Sequence, residues 1–151
     1  MASQGCVFCE IVAGRASAPR VHQDDQVICF LDHRPLFAGH ALVVPRAHVA
    51  TLAELPVDLM PALLGAAQMI SRALEAALGC QGSFVALNNK VSQSVPHLHV
   101  HVVPRSKGDG LKGFFWPRHP YRDAAQMEEV RAKVAEAVLA DLTAQAARGS
   151  R

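Results

Sequence analysis

Three histidines, His97, His99 and His101, stand two apart in SVPHLHVHVVPR, residues 94–105, with apolar residues between them. The chain has eight histidines in all, so three within five positions is a concentration. Imidazole titrates near neutrality and serves as nucleophile, general acid or base, and metal ligand. In an extended strand, successive side chains face opposite ways and same-face neighbours lie roughly 6.6 Å apart. The three imidazoles therefore share one face. Leu98, Val100 and Val102 share the other, which should pack on a helix. A single zinc holds imidazole nitrogens at about 2.0–2.1 Å. Two same-face imidazoles of a flat strand can converge on such an ion, but three need strong curvature. One or two of the three can thus ligate while the rest do other chemistry.

Cys6 and Cys9, in CVFCEIVAG, have the spacing of half a tetrahedral zinc site. The same pair could be a redox couple or two small buried residues. A thioredoxin-like pair should follow a strand within a βαβ unit, which a position so near the N-terminus does not suit. With His48 and one strand histidine, the cysteines would complete a Cys2His2 set.

These groups need elements to hold them. CVFCEIVAG itself reads as a tight turn or short helix. VHQDD and VICFLD (27–32) read as two strands joined by an acidic turn. HRPLFAG is a Pro/Gly loop, and HALVVP (40–45) is a short strand closed by Pro45. From about 56 to 78 the period becomes helical. Leu59, Leu63, Ile70, Leu74 and Leu78 form one apolar stripe, and Gly79 supplies the stop. SFVALN (83–88) is another strand, NKVSQS a polar loop, and VPHLHVHVVP the histidine strand. After a Gly/Pro/aromatic segment, a last amphipathic helix is expected over about 123–144, with Asp123 as N-cap. The class is α+β, a mostly antiparallel meander with helices on one side.

A chain of 151 residues makes one ordinary domain, long enough to bury a core without staples. Apolar residues at 50% and charged residues at 19% mark it as globular. A net charge of +2 gives no electrostatic reason to expect nucleic-acid binding. No run of about 18 apolar residues exists, so no membrane span is expected. The N-terminus lacks the pattern of a secretory signal. With four cysteines (Cys6, Cys9, Cys29, Cys80), a reducing cytoplasm is the expected location. The end, AQAARGSR, should fray.

His97 to Val103 resembles the histidine triad (HIT) motif, His-φ-His-φ-His-φ-φ with φ apolar. CVFCEIVAG, FLDHRPLFAGHALVVPRAH and QSVPHLHVHVVPR also occur in the order and spacing of that family's bacterial members, over about residues 5–105. The resemblance implies a single HIT domain over 1–151, with a core at about 5–105 and a C-terminal tail and helix at about 106–147. It implies a five-stranded, mostly antiparallel sheet with one long and one C-terminal helix, joined across a homodimer. It further implies a nucleotide hydrolase or transferase that cleaves at the α-phosphate of adenosine phosphoramidates, acyl adenylates or dinucleoside polyphosphates and releases AMP. The alternative is a nucleotide-binding sensor or partner protein with little catalysis. A third possibility is a metalloenzyme that gathers His97, His99 and His101 around a catalytic ion.

By the same resemblance His99 is the nucleophile, His101 fixes its tautomer or contacts phosphate, and His40 lies near the catalytic pocket. Cys6, Cys9, His48 and His97 would hold a structural zinc with no open position. Asp32 would bind the ribose hydroxyls, unless it caps a turn. Phe8, Ile11, Phe30 and Leu31 would line a slot for the purine base, unless they are plain core. The phosphate loop departs from the family pattern, which carries Asn-x-Gly and Ala-Gly-Gln. LNNKVSQSVPH lacks both glycines and has about two residues fewer. Asn88 or Asn89 stands for the family's asparagine, Gln93 and Ser94 match its phosphate-contacting pair, and Lys90 is new. Trp116 lies in a segment that either reaches a neighbouring subunit or packs within its own.

Overall fold

The structure, a computed structural model, describes residues 5–111 and 120–149. Trp116 lies outside the described residues. Contacts divide the chain into two units, residues 1–110 and 111–151. The first unit runs α1 (Val7–Val12), β1 (Arg20–Gln23), β2 (Val27–Leu31), β3 (Ala41–Pro45), α2 (Met60–Leu78), β4 (Gly82–Ala86) and β5 (Val100–Arg105). Two single 3-10 turns, Leu52–Glu54 and Val57–Leu59, lead into α2.

The five strands form one sheet in the order β1-β2-β3-β5-β4, every neighbouring pair antiparallel. The acidic turn between β1 and β2 is closed by Asp24, whose Oδ1 accepts the Gln26 and Val27 N–H groups at 2.8 Å each. The simple meander breaks after β3. There α2 carries the chain to the far edge, where β4 forms, and β5 returns between β4 and β3.

The helices cover both faces of the sheet, not one. Leu63, Ala66, Ala67, Ile70 and Leu74 of α2 pack with Val27, Cys29, Val43, Leu98, Val100 and Val102. Phe8, Cys9 and Ile11 of α1 pack with Ile28, Phe30, Leu42 and Val44 on the opposite face. A helix of one and a half turns has too little length to show a period, so its covering role was not legible. Truncating a fully buried anchor such as Leu63, 1% exposed, should cost about 2–5 kcal/mol. The expected stripe ends a turn early, since Leu78 is 53% exposed.

Two glycines answer to geometry here. Gly79 closes α2 in the left-handed region, φ 65°, with its N–H on the Glu75 carbonyl at 3.0 Å. Gly39 has φ 98°, and a Cβ there would stand 2.5 Å from Leu78 Cδ1 and 3.1 Å from Leu74 Cδ2. A side chain there would have to displace the exposed Leu78 and would sit at a positive φ that glycine adopts without strain.

The ladder of β5 begins only at Val100, so His97 and His99 precede it, His97 in a bend whose N–H donates to the Val95 carbonyl at 2.8 Å. The alternation is kept because Leu98 is pinned, its N–H donating to the Val49 carbonyl at 2.7 Å. In the second unit, α3 (Ala124–Gly149) runs further than expected. Asp123 Oδ1 accepts the Gln126 N–H at 2.7 Å, an N-cap bond. Among the described residues no helix is long and apolar enough to cross a membrane.

Candidate active site and metal centre

α1 brings its two cysteines against the start of the histidine stretch. Cys6 Sγ lies 3.4 Å from His97 Nδ1, Cys9 Sγ 3.3 Å from His48 Nδ1 and 3.7 Å from His97 Nδ1. The four ligand atoms all lie within 4.8 Å of one another. In a tetrahedral zinc site, bonds of about 2.3 Å to sulfur and 2.05 Å to nitrogen put S and N roughly 3.5–3.6 Å apart. The observed separations bracket that value. His97 Nε2 is bonded to the Pro45 carbonyl at 2.8 Å. A carbonyl only accepts, so Nε2 carries the proton and Nδ1 presents its lone pair to the cysteines. This is the outer bond that metal-ligating imidazoles ordinarily make. Burial, the leading influence, pushes the His97 pKa down and favours the neutral ring that ligation requires. Cys6, Cys9, His48 and His97 thus fit a closed four-ligand site.

His99 and His101 turn away from that cluster. His99 Nδ1 lies 2.7 Å from the His97 carbonyl, so Nδ1 holds the proton and Nε2 is bare. His40 Nδ1 accepts the Leu36 N–H at 3.2 Å, which leaves its proton on Nε2, 3.0 Å from His101 Nδ1. His101 then accepts at Nδ1 and, when neutral, keeps its own proton on Nε2. Burial first, then His99 and His40, push the His101 pKa down to about 4, against the opposing pull of Asp32. Burial also lowers His40, with Asp32 again opposing. Two backbone groups, the His97 carbonyl and the Leu36 amide, therefore set the tautomers of all three rings.

A cavity of about 580 Å³ opens over His99 and His101. The register explains its floor: Phe30 pairs with Leu42 and Leu42 with His101, a row across three strands on one face. Phe8 wedges in from α1, edge-on to Phe30 at 5.4 Å and to His99 at 5.2 Å between ring centroids. Ile11 and Leu31 complete an apolar end, and Asp32 and Ser94 add polar groups to the wall. Asp32 does two things. Its Oδ1 accepts the Arg34 N–H at 2.9 Å, capping the turn, while Oδ2 lies 3.7 Å from His40 Nδ1.

Of the residues expected at a nucleotide site, Phe8, Ile11, Phe30, Leu31, Asp32, Ser94, His99 and His101 line this cavity. His40 stands behind His101 rather than on the wall. Asn88, Asn89 and Gln93 are not on the wall. Asn89 Oδ1 accepts the Leu52 N–H, and the Gln93 amide bonds to Ala50 and Lys90. Leu42, Val95 and the 17–19 loop also line the cavity and were not anticipated. Leu42 was findable, since it follows His40 at strand period. His97, His99 and His101 do not form a ligand group together; among the described residues the other cluster of ligand type is Asp32, His40 and His101.

An antiparallel five-stranded sheet with a long helix on one face and a histidine-lined cavity on the other defines an α+β fold of HIT type. The HIT domain family model matches residues 14–108, and the chain belongs to that family. An uncharacterised HIT-like protein of Mycobacterium tuberculosis is 37% identical over 79% of this chain and 86% of its own length. The adenosine 5'-monophosphoramidase hnt1 of Schizosaccharomyces pombe is 30% identical over 85% of this chain and 98% of its own. The adenylylsulfatase HINT3 of Arabidopsis thaliana is 35% identical over 70% of this chain, which spans 55% of that protein. A Zn-bound histidine triad family protein from Mycobacterium smegmatis superposes with a TM-score of 0.69 at 36% identity, covering 90% of this chain and 97% of that one.

Proposed function

We propose that the protein hydrolyses nucleotides at the α-phosphate, taking adenosine phosphoramidates, acyl adenylates or dinucleoside polyphosphates and releasing AMP. The observation that carries this is the bare Nε2 of His99, held by the His97 carbonyl on the wall of a cavity with an apolar slot and a carboxylate. The base lies in the slot of Phe8, Ile11, Phe30 and Leu31, and the free side of Asp32 accepts from the ribose hydroxyls. Ser94 and His101 face the phosphate.

His99 Nε2 attacks phosphorus, and a P–N bond forms as the bond to the leaving group breaks. The leaving group departs with a proton taken from water, while the Nε2–H of neutral His101, which His40 orients, stays in place and donates a hydrogen bond to a phosphate oxygen. A second water then attacks the same phosphorus, gives up a proton to solvent, and breaks the P–Nε2 bond. AMP leaves and the His99 lone pair is restored. Cys6, Cys9, His48 and His97 would hold a zinc ion, which with four protein ligands would tie α1 to the histidine stretch and supply no chemistry at phosphorus.

The whole chain works as one HIT domain with a C-terminal extension, as a homodimer in the cytoplasm. What supports the dimer is β4, an edge strand with Val85 44% exposed; Leu64 and Leu78 of α2 are also exposed, at 56% and 53%. The test is turnover of an adenosine phosphoramidate and a diadenosine polyphosphate, with intact-mass detection of an adenylylated protein after a rapid quench. His99→Ala should lose the adduct and at least about a thousandfold in rate while still binding AMP. Full activity in that variant would overturn the proposal.

A further inference from the structure

The loop of residues 88–94, which delivers Ser94 to the cavity, carries two unusual backbone conformations. Lys90 has φ 65° and Ser92 φ 58°, left-handed values that side chains with a Cβ rarely adopt. Such conformations cost about 1–3 kcal/mol each and persist where surrounding bonds over-determine them. Three side-chain bonds do so here. Asn89 Oδ1 accepts the Leu52 N–H at 2.7 Å. Gln93 Oε1 accepts the Lys90 N–H at 2.8 Å, and Gln93 Nε2 donates to the Ala50 carbonyl at 2.7 Å. The partners fix the amide's orientation, because an N–H must meet the oxygen and a carbonyl the nitrogen. One carboxamide thus closes the loop on itself and straps it to the 50–52 segment.

We infer that Gln93 is a positioning residue: it holds the loop's left-handed turn so that the next residue, Ser94, faces the phosphate, and does not itself contact phosphate. Gln93 is off the cavity wall and Ser94 is on it. The strap replaces the conformational freedom that glycine would otherwise give at Lys90 and Ser92. The inference rests on the proposed phosphate site, and its test separates the two.

The variants are Gln93→Ala, Ser94→Ala and the double, assayed for kcat and KM on an adenosine phosphoramidate. If Gln93 acts through Ser94, each single variant should lose about tenfold in kcat/KM, and the double little more than the worse single. Adding Lys90→Gly and Ser92→Gly to Gln93→Ala should recover most of the loss, which glycine cannot do for a missing phosphate contact. Losses that multiply to about a hundredfold, without glycine rescue, would overturn the inference. Independently of any turnover, the Lys90 amide of the nucleotide-free protein should exchange at least about fivefold faster in Gln93→Ala and unchanged in Ser94→Ala, by nuclear magnetic resonance. An unchanged Lys90 rate in Gln93→Ala sinks the strap even if the protein proves catalytically silent. A raised rate without turnover sustains the strap and sinks the proposed function.

Discussion

Acid should unfold this protein through His101, and the size of the effect follows from its surroundings. The ring is partly buried, bonded at Nδ1 to His40, and its pKa falls from an ordinary 6.5 to about 4. A folded-state pKa below the unfolded one means that the unfolded chain takes up the proton first. The stability contribution is therefore complete above about 6.5 and declines as pH falls toward 4. At full protonation a depression of this size corresponds to about 3 kcal/mol, and at pH 5 to about 2 kcal/mol. With a urea slope near 2 kcal/mol/M, the unfolding midpoint should drop by about 1 M between pH 7.5 and pH 5 from this group alone. His101→Asn isolates the term. Asn Oδ1 can still accept the His40 Nε2 proton, but it cannot titrate. The variant should lose about 2 kcal/mol less than the parent over the same interval, with zinc content measured at both pH values. Equal losses, or a His101 resonance titrating above pH 6, would refute the assignment of a neutral, buried imidazole.

Chelation-resistant zinc should accompany the purified protein at one ion per chain and be lost in Cys9→Ser, with a fall in melting temperature read by scanning calorimetry. Asp32→Ala should weaken AMP by about tenfold in titration calorimetry yet leave a 2',3'-dideoxy analogue unaffected, since only the hydroxyls meet the carboxylate. Gly39→Ala should cost about 1–3 kcal/mol in urea unfolding, because the residue is left-handed and its Cβ would meet Leu78.

The α+β class was legible in the sequence, while the roles of the site residues rest on a family resemblance. Strand period placed His97, His99 and His101 on one face and Leu98, Val100 and Val102 on the other, and the structure keeps that division although the ladder starts only at Val100. Period also found α2, because a nineteen-residue helix with a buried stripe repeats often enough to be read. It missed that α1 covers the opposite face, and it missed Val95 and the 17–19 loop on the cavity wall. Those residues are gathered by tertiary contact, which no local period encodes. The same limit explains Gln93. Its partner Ala50 lies 43 residues away, so the family resemblance suggested an amide for phosphate while the fold bonds that amide internally.

The three triad histidines differ because each ring commits a nitrogen to a neighbour in a different way. His97 gives its Nε2 proton to Pro45 and turns Nδ1 to the cysteines. His99 gives its Nδ1 proton to the His97 carbonyl and turns a bare Nε2 to the cavity. His101 accepts at Nδ1 from His40 and keeps a proton to donate. The carbonyl that aims His99 belongs to the residue that would ligate zinc. A metal on His97 would therefore anchor the peptide unit on which the His99 tautomer depends. On that account a ligand-to-serine change should lower kcat through the orientation of His99 and also weaken AMP binding, because α1, which carries Phe8 and Ile11 of the proposed slot, loses the same anchor.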